Sequence, residues 1–350
     1  MIPIIDIAAL FEGDTTARAA ADRAIAAAAM DTGFMVVTGL PDAVPVTPAH
    51  LQALKRIFAL DPALLRPLCR QKFEPGNPNV YRGWFPLQPG HKTYKEGIDI
   101  GPDLAHGPAV VAAGDPLREA TPLPSEAALP GWRADAAAYY RGMEHTGRML
   151  MRALARSLGL AETVFDAAFE GGVSTFRLIH YPARAPEDLA AIADPGVWVE
   201  HNGARAYMSG EAHVDSGLVT LLAQDGVSGL QAKARDGGWI DVPPLDRSLV
   251  INFGRLLERW TGGRIKATEH RVIGTGQERY SVPFFYEPRA EAVIAPLSPD
   301  APAFEPFQYG DHVWASMMNF VEFAGLEHLR PSRALREELA RSQVRHAMAG

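Results

Sequence analysis

The feature that most constrains this chain is a change of rhythm near residue 174. From there to residue 288 the sequence breaks into short runs: "STFRLIHYP", "SGLVTLLAQD", "SGLQAK", "GWIDVP", "SLVINFG", "TEHRVIG" and "RYSVPFFYEP". Each run is rich in β-branched or aromatic residues and is bounded by Gly, Pro, Asp or Ser. Many short strands at close intervals, with turn signals between them, specify an antiparallel sandwich or barrel.

The first half reads differently. "IPIID" is strand-like, an Ala-rich helix is expected from about Thr16 to Asp31, and "GFMVVTG" returns as a strand. Thr47 followed by Pro48 predicts a capped helix in "TPAHLQALKRIFAL", and "DPALLRPL" begins another. Residues 73–131 are rich in Pro and Gly with aromatic residues and charges interleaved, the composition of a functional wall or lid. Between Gly131 and Leu160, apolar residues recur at helical spacing before a Gly stop, which predicts the longest helix. Helices return with "YGDHVWASMMNFVEF" and the Arg-rich tail. The expected arrangement is an N-terminal region over 1–125, whose helices and strands pack on the core, and a second region over 126–350 that carries the core itself.

Lys plus Arg total 34 against 41 Asp plus Glu, a net of −7, and the basic residues are scattered. Nucleic acid is therefore not an expected partner. Cys69 is the one cysteine, which excludes an internal disulfide framework and reads as a small buried apolar residue. No apolar run approaches membrane length, so the expectation is a cytoplasmic protein without an obligate protein partner.

The chemistry is carried by "EAHVDSGLVTLL". A lone H-x-D is weak, but on a strand residues i and i+2 share a face, so His213 and Asp215 would project together and could chelate. His270, in the later β-like run "IKATEHRVIG", offers a third ligand. Two His and one carboxylate suit a divalent first-row metal with coordination positions left open. Nine residues on, Arg279 and Ser281 lie at strand spacing and would share one face. His180, His201 and His312 read as structural, and Arg271 as a packing residue on the opposite strand face.

This order, H-x-D, then His in an H-R-V context, then R-x-S, resembles the isopenicillin N synthase-like family of Fe(II)- and 2-oxoglutarate-dependent dioxygenases. "IPIIDIAAL", "GFMVVTG", "YRGWFPLQ…KEGIDIG", "FRLIHYP" and "SLVINFGRLLERWTGGRIKATEHRV" recur in that family's order, so the resemblance covers roughly residues 2–325. It implies a mainly β fold with flanking helices around a double-stranded β-helix, or distorted jelly roll. It further implies that His213, Asp215 and His270 bind Fe(II), and that Arg279 and Ser281 bind the distal carboxylate of 2-oxoglutarate, with Tyr181 beside the co-substrate. A planar guanidinium matches a carboxylate bidentately. The family commonly has Asn two residues before that tyrosine, where this chain has Ile179; it usually has Gly-Asp where this chain has Gly254 and Arg255.

The activity so implied is oxidation of a C–H bond of a small molecule by O2, hydroxylation by default, with release of succinate and CO2. Substrate walls are expected from Arg82, Trp84 and Tyr94, from Arg205 and Tyr207 in the insertion before the first ligand, and from Phe285. Three alternatives compete: an iron oxidase of the same fold that does not use 2-oxoglutarate, a zinc hydrolase, and an inactive jelly-roll binding module. The lack of H-E-x-x-H and the presence of R-x-S weigh against zinc.

Overall fold

The computed structural model describes residues 1–13, 15–297, 302–320 and 323–330. The Arg-rich tail lies outside them. In chain order the main elements are β1 (Ile4–Asp6), α1 (Thr15–Asp31), β2 (Phe34–Thr38), α2 (Pro48–Lys55), β3 (Gly83–Phe85), β4 (Glu96–Ile100) and α3 (Trp132–Ser157). Then come β5 (Thr175–Tyr181), β6 (Trp198–His201), β7 (Ala204–His213), β8 (Val219–Gln224), β9 (Leu230–Lys233), β10 (Trp239–Asp241), β11 (Leu249–Phe253), β12 (His270–Gly274), β13 (Arg279–Tyr286) and α4 (Tyr309–Met317).

An eight-stranded sheet has the order β1-β2-β11-β8-β13-β5-β4-β3, and a five-stranded sheet the order β10-β9-β12-β7-β6. This is the expected β core with flanking helices. Strands from both halves of the chain share the larger sheet, with β1 to β4 extending its two edges.

Strand alternation explains how one sheet serves two cores. On β11, Leu249, Ile251 and Phe253 join the large core beneath the helices, whereas Val250 joins a second core with Phe34, Val36, Ile179, Tyr181, Ala232 and Val272. That second core is the space between the sheets. The long helix α3 lies across the outer face of the larger sheet. It starts after Gly131, whose φ of 75° suits glycine, and ends near Gly159, again at φ 75°.

Two tyrosines of α3 fix its seat: Tyr139 Oη donates to the Val282 carbonyl (2.7 Å) and Tyr140 Oη to the Ser174 carbonyl (2.9 Å). A Cβ at Gly147 would lie 2.7 Å from the Tyr286 ring, so glycine there lets the helix approach β13. Phe176 and Phe284 are fully buried between helix and sheet, each contributing about 1.5–3 kcal/mol by burial. Among the described residues, no helix is long and apolar enough to cross a membrane.

Candidate metal and co-substrate site

His213 and His270 are cross-strand partners in the antiparallel pair of β7 and β12. Their ring centroids are 4.3 Å apart. Both rings present Nε2 to one oxygen: Asp215 Oδ1 lies 3.4 Å from His213 Nε2 and 3.7 Å from His270 Nε2. For metal bonds of about 2.1 Å, neighbouring donor atoms of an open octahedral site stand about 3.0 Å apart, so one ion fits with slight contraction. These three residues are the group of His, Cys, Asp and Glu side chains among the described residues able to converge in this way, with ligand atoms within 4.8 Å of one another.

The other atom of each ligand is already committed. His213 Nδ1 pairs with the Glu211 carbonyl (2.8 Å) and His270 Nδ1 with the Thr268 carbonyl (3.2 Å), which leaves Nε2 of each ring as the lone-pair side. Asp215 Oδ2 accepts from Thr220 Oγ1 (2.6 Å) and Asn252 Nδ2 (2.7 Å), leaving Oδ1 for the metal. Thr220 and Asn252 are themselves cross-strand neighbours on β8 and β11. Burial alone would raise the pKa of Asp215, but the two imidazoles and the Thr220 hydroxyl outweigh it and hold the carboxyl far below the usual carboxylate range. Burial, with His213 beside it, pulls His270 below the ordinary histidine value, which favours the neutral ring a metal requires.

One expectation needs correcting in its reason. β7 ends at His213, and Asp215 stands beyond it in the turn, so strand pleat does not align the two. The turn is instead pinned from its backbone: Arg255 N donates to the Asp215 carbonyl (2.8 Å) and Gly254 N to the Leu218 carbonyl (2.9 Å). A Cβ at Gly254 would lie 2.3 Å from the Gly217 carbonyl oxygen, so that approach requires glycine. Only the main chain of residue 255 takes part, which is why an arginine can stand where an acid is usual.

Along the same interior, β13 carries Arg279 opposite Tyr181 and Ser281 between Gln224 and Ile179. Arg279 is 3% exposed. Its Nη2 donates to Gln224 Oε1 (3.2 Å), while Nε and Nη1 are buried and have no hydrogen-bond partner among the described residues. Burial pulls its pKa down, yet a guanidinium remains charged. A buried cation with two unpaired donors is costly unless an anion meets it, so the residues present fit a carboxylate. Tyr181, Tyr207, Ser209 and Arg279 line one small cavity there.

The expected substrate wall is only partly assembled. Phe285 faces the interior at half burial. Tyr207 stands beside Arg279 instead, in the cavity just described. Trp84 is 1% exposed and packs against Phe58 in the outer core. Arg82 is fully buried, donating to Thr175 Oγ1 (2.6 Å) and the Val173 carbonyl (2.9 Å). Neither residue presents a surface to a ligand, because each is spent on packing or on protein oxygens. Tyr94 lies under the Arg184 guanidinium (4.9 Å) and Arg205 is exposed over Trp198 (3.8 Å).

Sequence reading missed Thr220, Asn252 and Gln224, which orient the carboxylate ligand and the arginine. Their signal was a polar residue at an inward position of an otherwise apolar run.

Known proteins resemble this chain over most of its length. Residues 176–288 match the model of the 2OG-Fe(II) oxygenase superfamily. The chain is 31% identical to isopenicillin N synthase of Streptomyces clavuligerus over 320 residues, covering 89% of this chain and 93% of that one. It is 30% identical to the 2-oxoglutarate-Fe(II) type oxidoreductase hxnY of Emericella nidulans, covering 81% and 78%. Among solved structures, a full-length Neurospora crassa protein in complex with alpha-KG superposes with a TM-score of 0.70 at 27% identity, covering 89% of this chain and 94% of that one.

Proposed function

We propose that this chain, which belongs to the isopenicillin N synthase-like family of 2OG-Fe(II) oxygenases, hydroxylates a C–H bond of a small molecule with 2-oxoglutarate as co-substrate. The observation that carries the co-substrate is Arg279, buried, charged and short of partners in the same interior as the triad.

His213, Asp215 and His270 would hold Fe(II), with their outer atoms fixed by the Glu211 and Thr268 carbonyls and by Thr220 and Asn252. Arg279 would take the distal carboxylate of 2-oxoglutarate, steadied by Gln224, with Ser281 and Tyr181 beside it. When bound, Fe(II), 2-oxoglutarate and O2 together supply the oxidation, with succinate and CO2 as co-products. The chain's part is placement: it keeps three ligand atoms converged, excludes water with the apolar surfaces of Val36, Leu222 and Val250, and directs one C–H toward the triad.

The test is anaerobic calorimetric titration of 2-oxoglutarate into the Fe(II)-loaded protein, followed by succinate measurement once O2 is admitted. Saturable, iron-dependent binding with succinate formation supports the reading. Iron binding without any affinity for 2-oxoglutarate would move the assignment to an oxidase of the same fold.

A further inference from the structure

The turn that carries Asp215 runs from the end of β7 at His213 to the start of β8 at Val219, and it is held from two sides. On one side its carbonyls accept from backbone amides at the start of the short helix Arg255–Trp260. Asp215 accepts from Arg255 (2.8 Å), Gly217 from Leu256 (3.2 Å) and Leu218 from Gly254 (2.9 Å). The Ser216 carbonyl is served differently: it accepts from a side chain, His312 Nε2 of α4, at 3.0 Å.

That contact fixes the state of the imidazole. A carbonyl can only accept, so the proton lies on Nε2. Burial pulls the pKa of His312 below the ordinary histidine value, which keeps the ring neutral. Ser316 Oγ donates to the His312 carbonyl (2.9 Å), and the Phe307 ring stands 5.7 Å from the imidazole.

The helix behind it is anchored. Tyr309 N donates to the Ala292 carbonyl and Gly310 N to the Ala290 carbonyl, both at 2.8 Å, so α4 starts against the segment that follows β13. Val313 and Trp314 are each 2% exposed. Tyr309 is fully buried, and its Oη lies 3.8 Å from the point a Cβ on Gly217 would occupy, with Glu287 Oε1 3.5 Å from the same point. Residues three apart share a helix face, so Tyr309 rests beside Gly217 while His312 grips Ser216.

The turn needs this second hold. His213 and His270 are paired across β7 and β12, whereas Asp215 lies beyond the end of its strand. Thr220 and Asn252 orient its carboxylate, but the position of its main chain depends on what secures residues 215–218. Three of those four carbonyls are held by backbone, and the fourth, next to the ligand, by His312.

Resting on the iron reading of the triad, we propose that His312 is a positioning residue for Asp215. By holding the Ser216 carbonyl it keeps Asp215 Oδ1 converged with the two imidazoles, which makes the iron site depend on the docking of α4. Without the donor, the turn can tilt about its contacts with residues 254–256 and carry Oδ1 away from the histidines.

The experiment compares the full chain with His312→Leu, which removes the donor, and His312→Gln, whose amide keeps an N–H. Fe(II) affinity is read by anaerobic competition with a chelator, and ligand geometry by the visible bands of Co(II) bound in place of Fe(II). Melting of the metal-free proteins is recorded alongside. His312→Leu should bind Fe(II) about tenfold to a hundredfold more weakly and shift the Co(II) bands, whereas His312→Gln should stay within about threefold of the parent. A purely structural role would lower the melting temperature and leave the Co(II) bands in place. Should His312→Leu not fold, His312→Phe keeps a ring against Phe307 and still lacks the donor, with the same loss expected. Unchanged Fe(II) affinity and Co(II) bands in the variant without a donor, or an equal loss in His312→Gln, would overturn the inference. A parent that binds neither metal would instead overturn the iron reading itself, a failure visible before any substitution is made.

Discussion

Arg279 and Tyr181 are directly opposed across the antiparallel pair of β13 and β5, with the guanidinium carbon 5.3 Å from the tyrosine ring. The ring covers the cation and offers it no anion, so folding leaves a charge stored in the interior. Such a charge lowers the stability of the empty protein and favours a bound carboxylate.

Arg279→Met should therefore separate function from stability. Loss of two charge-assisted hydrogen bonds removes about 3 kcal/mol or more of 2-oxoglutarate binding, roughly a hundredfold in Kd. The empty variant should melt no lower than the parent, because an unpaired buried cation has been exchanged for an apolar side chain. Calorimetry and a melting curve on the same two proteins check both halves.

Asn252→Ala should weaken iron binding by about tenfold to a hundredfold, since Asp215 Oδ2 loses one of its two donors and the carboxylate is free to rotate. Competition with a chelator of known affinity measures it. An unchanged affinity would mean that Thr220 alone orients the ligand.

Gly254→Ala and Arg255→Asp make a contrasting pair. The added methyl would collide with the Gly217 carbonyl and displace the turn that carries Asp215, costing about 1–3 kcal/mol of stability and a large part of the iron affinity. Arg255→Asp alters a side chain whose backbone alone holds the turn, so iron affinity should stay within about threefold of the parent, the effect expected of a surface change.

Glu287 supplies a pH signature. Burial pushes its carboxyl up from 4.5 to about 7, with Arg82 and Thr175 opposing that only in part. A raised carboxyl pKa means the folded state holds the proton more tightly than the unfolded one. Its stabilising contribution is thus complete below about pH 4.5 and is lost as pH rises through about 7, a change of about 3 kcal/mol. Glu287→Gln should flatten the fall in melting temperature between those limits; a parallel fall in both proteins would remove Glu287 as its source.

Much of this was legible in the chain because alternation writes the sheet faces into the sequence. "SLVINFG" and "RYSVPFFYEP" announce strands, and the spacing of Arg279 and Ser281 puts both on one face. The pairing of His213 with His270 was not legible, since register between distant strands depends on the turns and bulges that join them. Arg82 and Trp84 misled for a related reason: Trp84 lies within, and Arg82 just before, a strand whose two faces belong to different cores, and only the folded sheet shows that Trp84 points outward. Asp215 does converge with the two histidines, but through a turn held by Gly254 and Arg255, a contact no local pattern encodes.

The most direct measurement is anaerobic visible absorption of the metal-free protein titrated with Fe(II) and then 2-oxoglutarate, for the parent and Arg279→Met in parallel. A weak charge-transfer band that needs both additions and is strongly reduced in the variant is the predicted result. A band of equal strength in the variant, or a parent that does not bind Fe(II), would contradict the account.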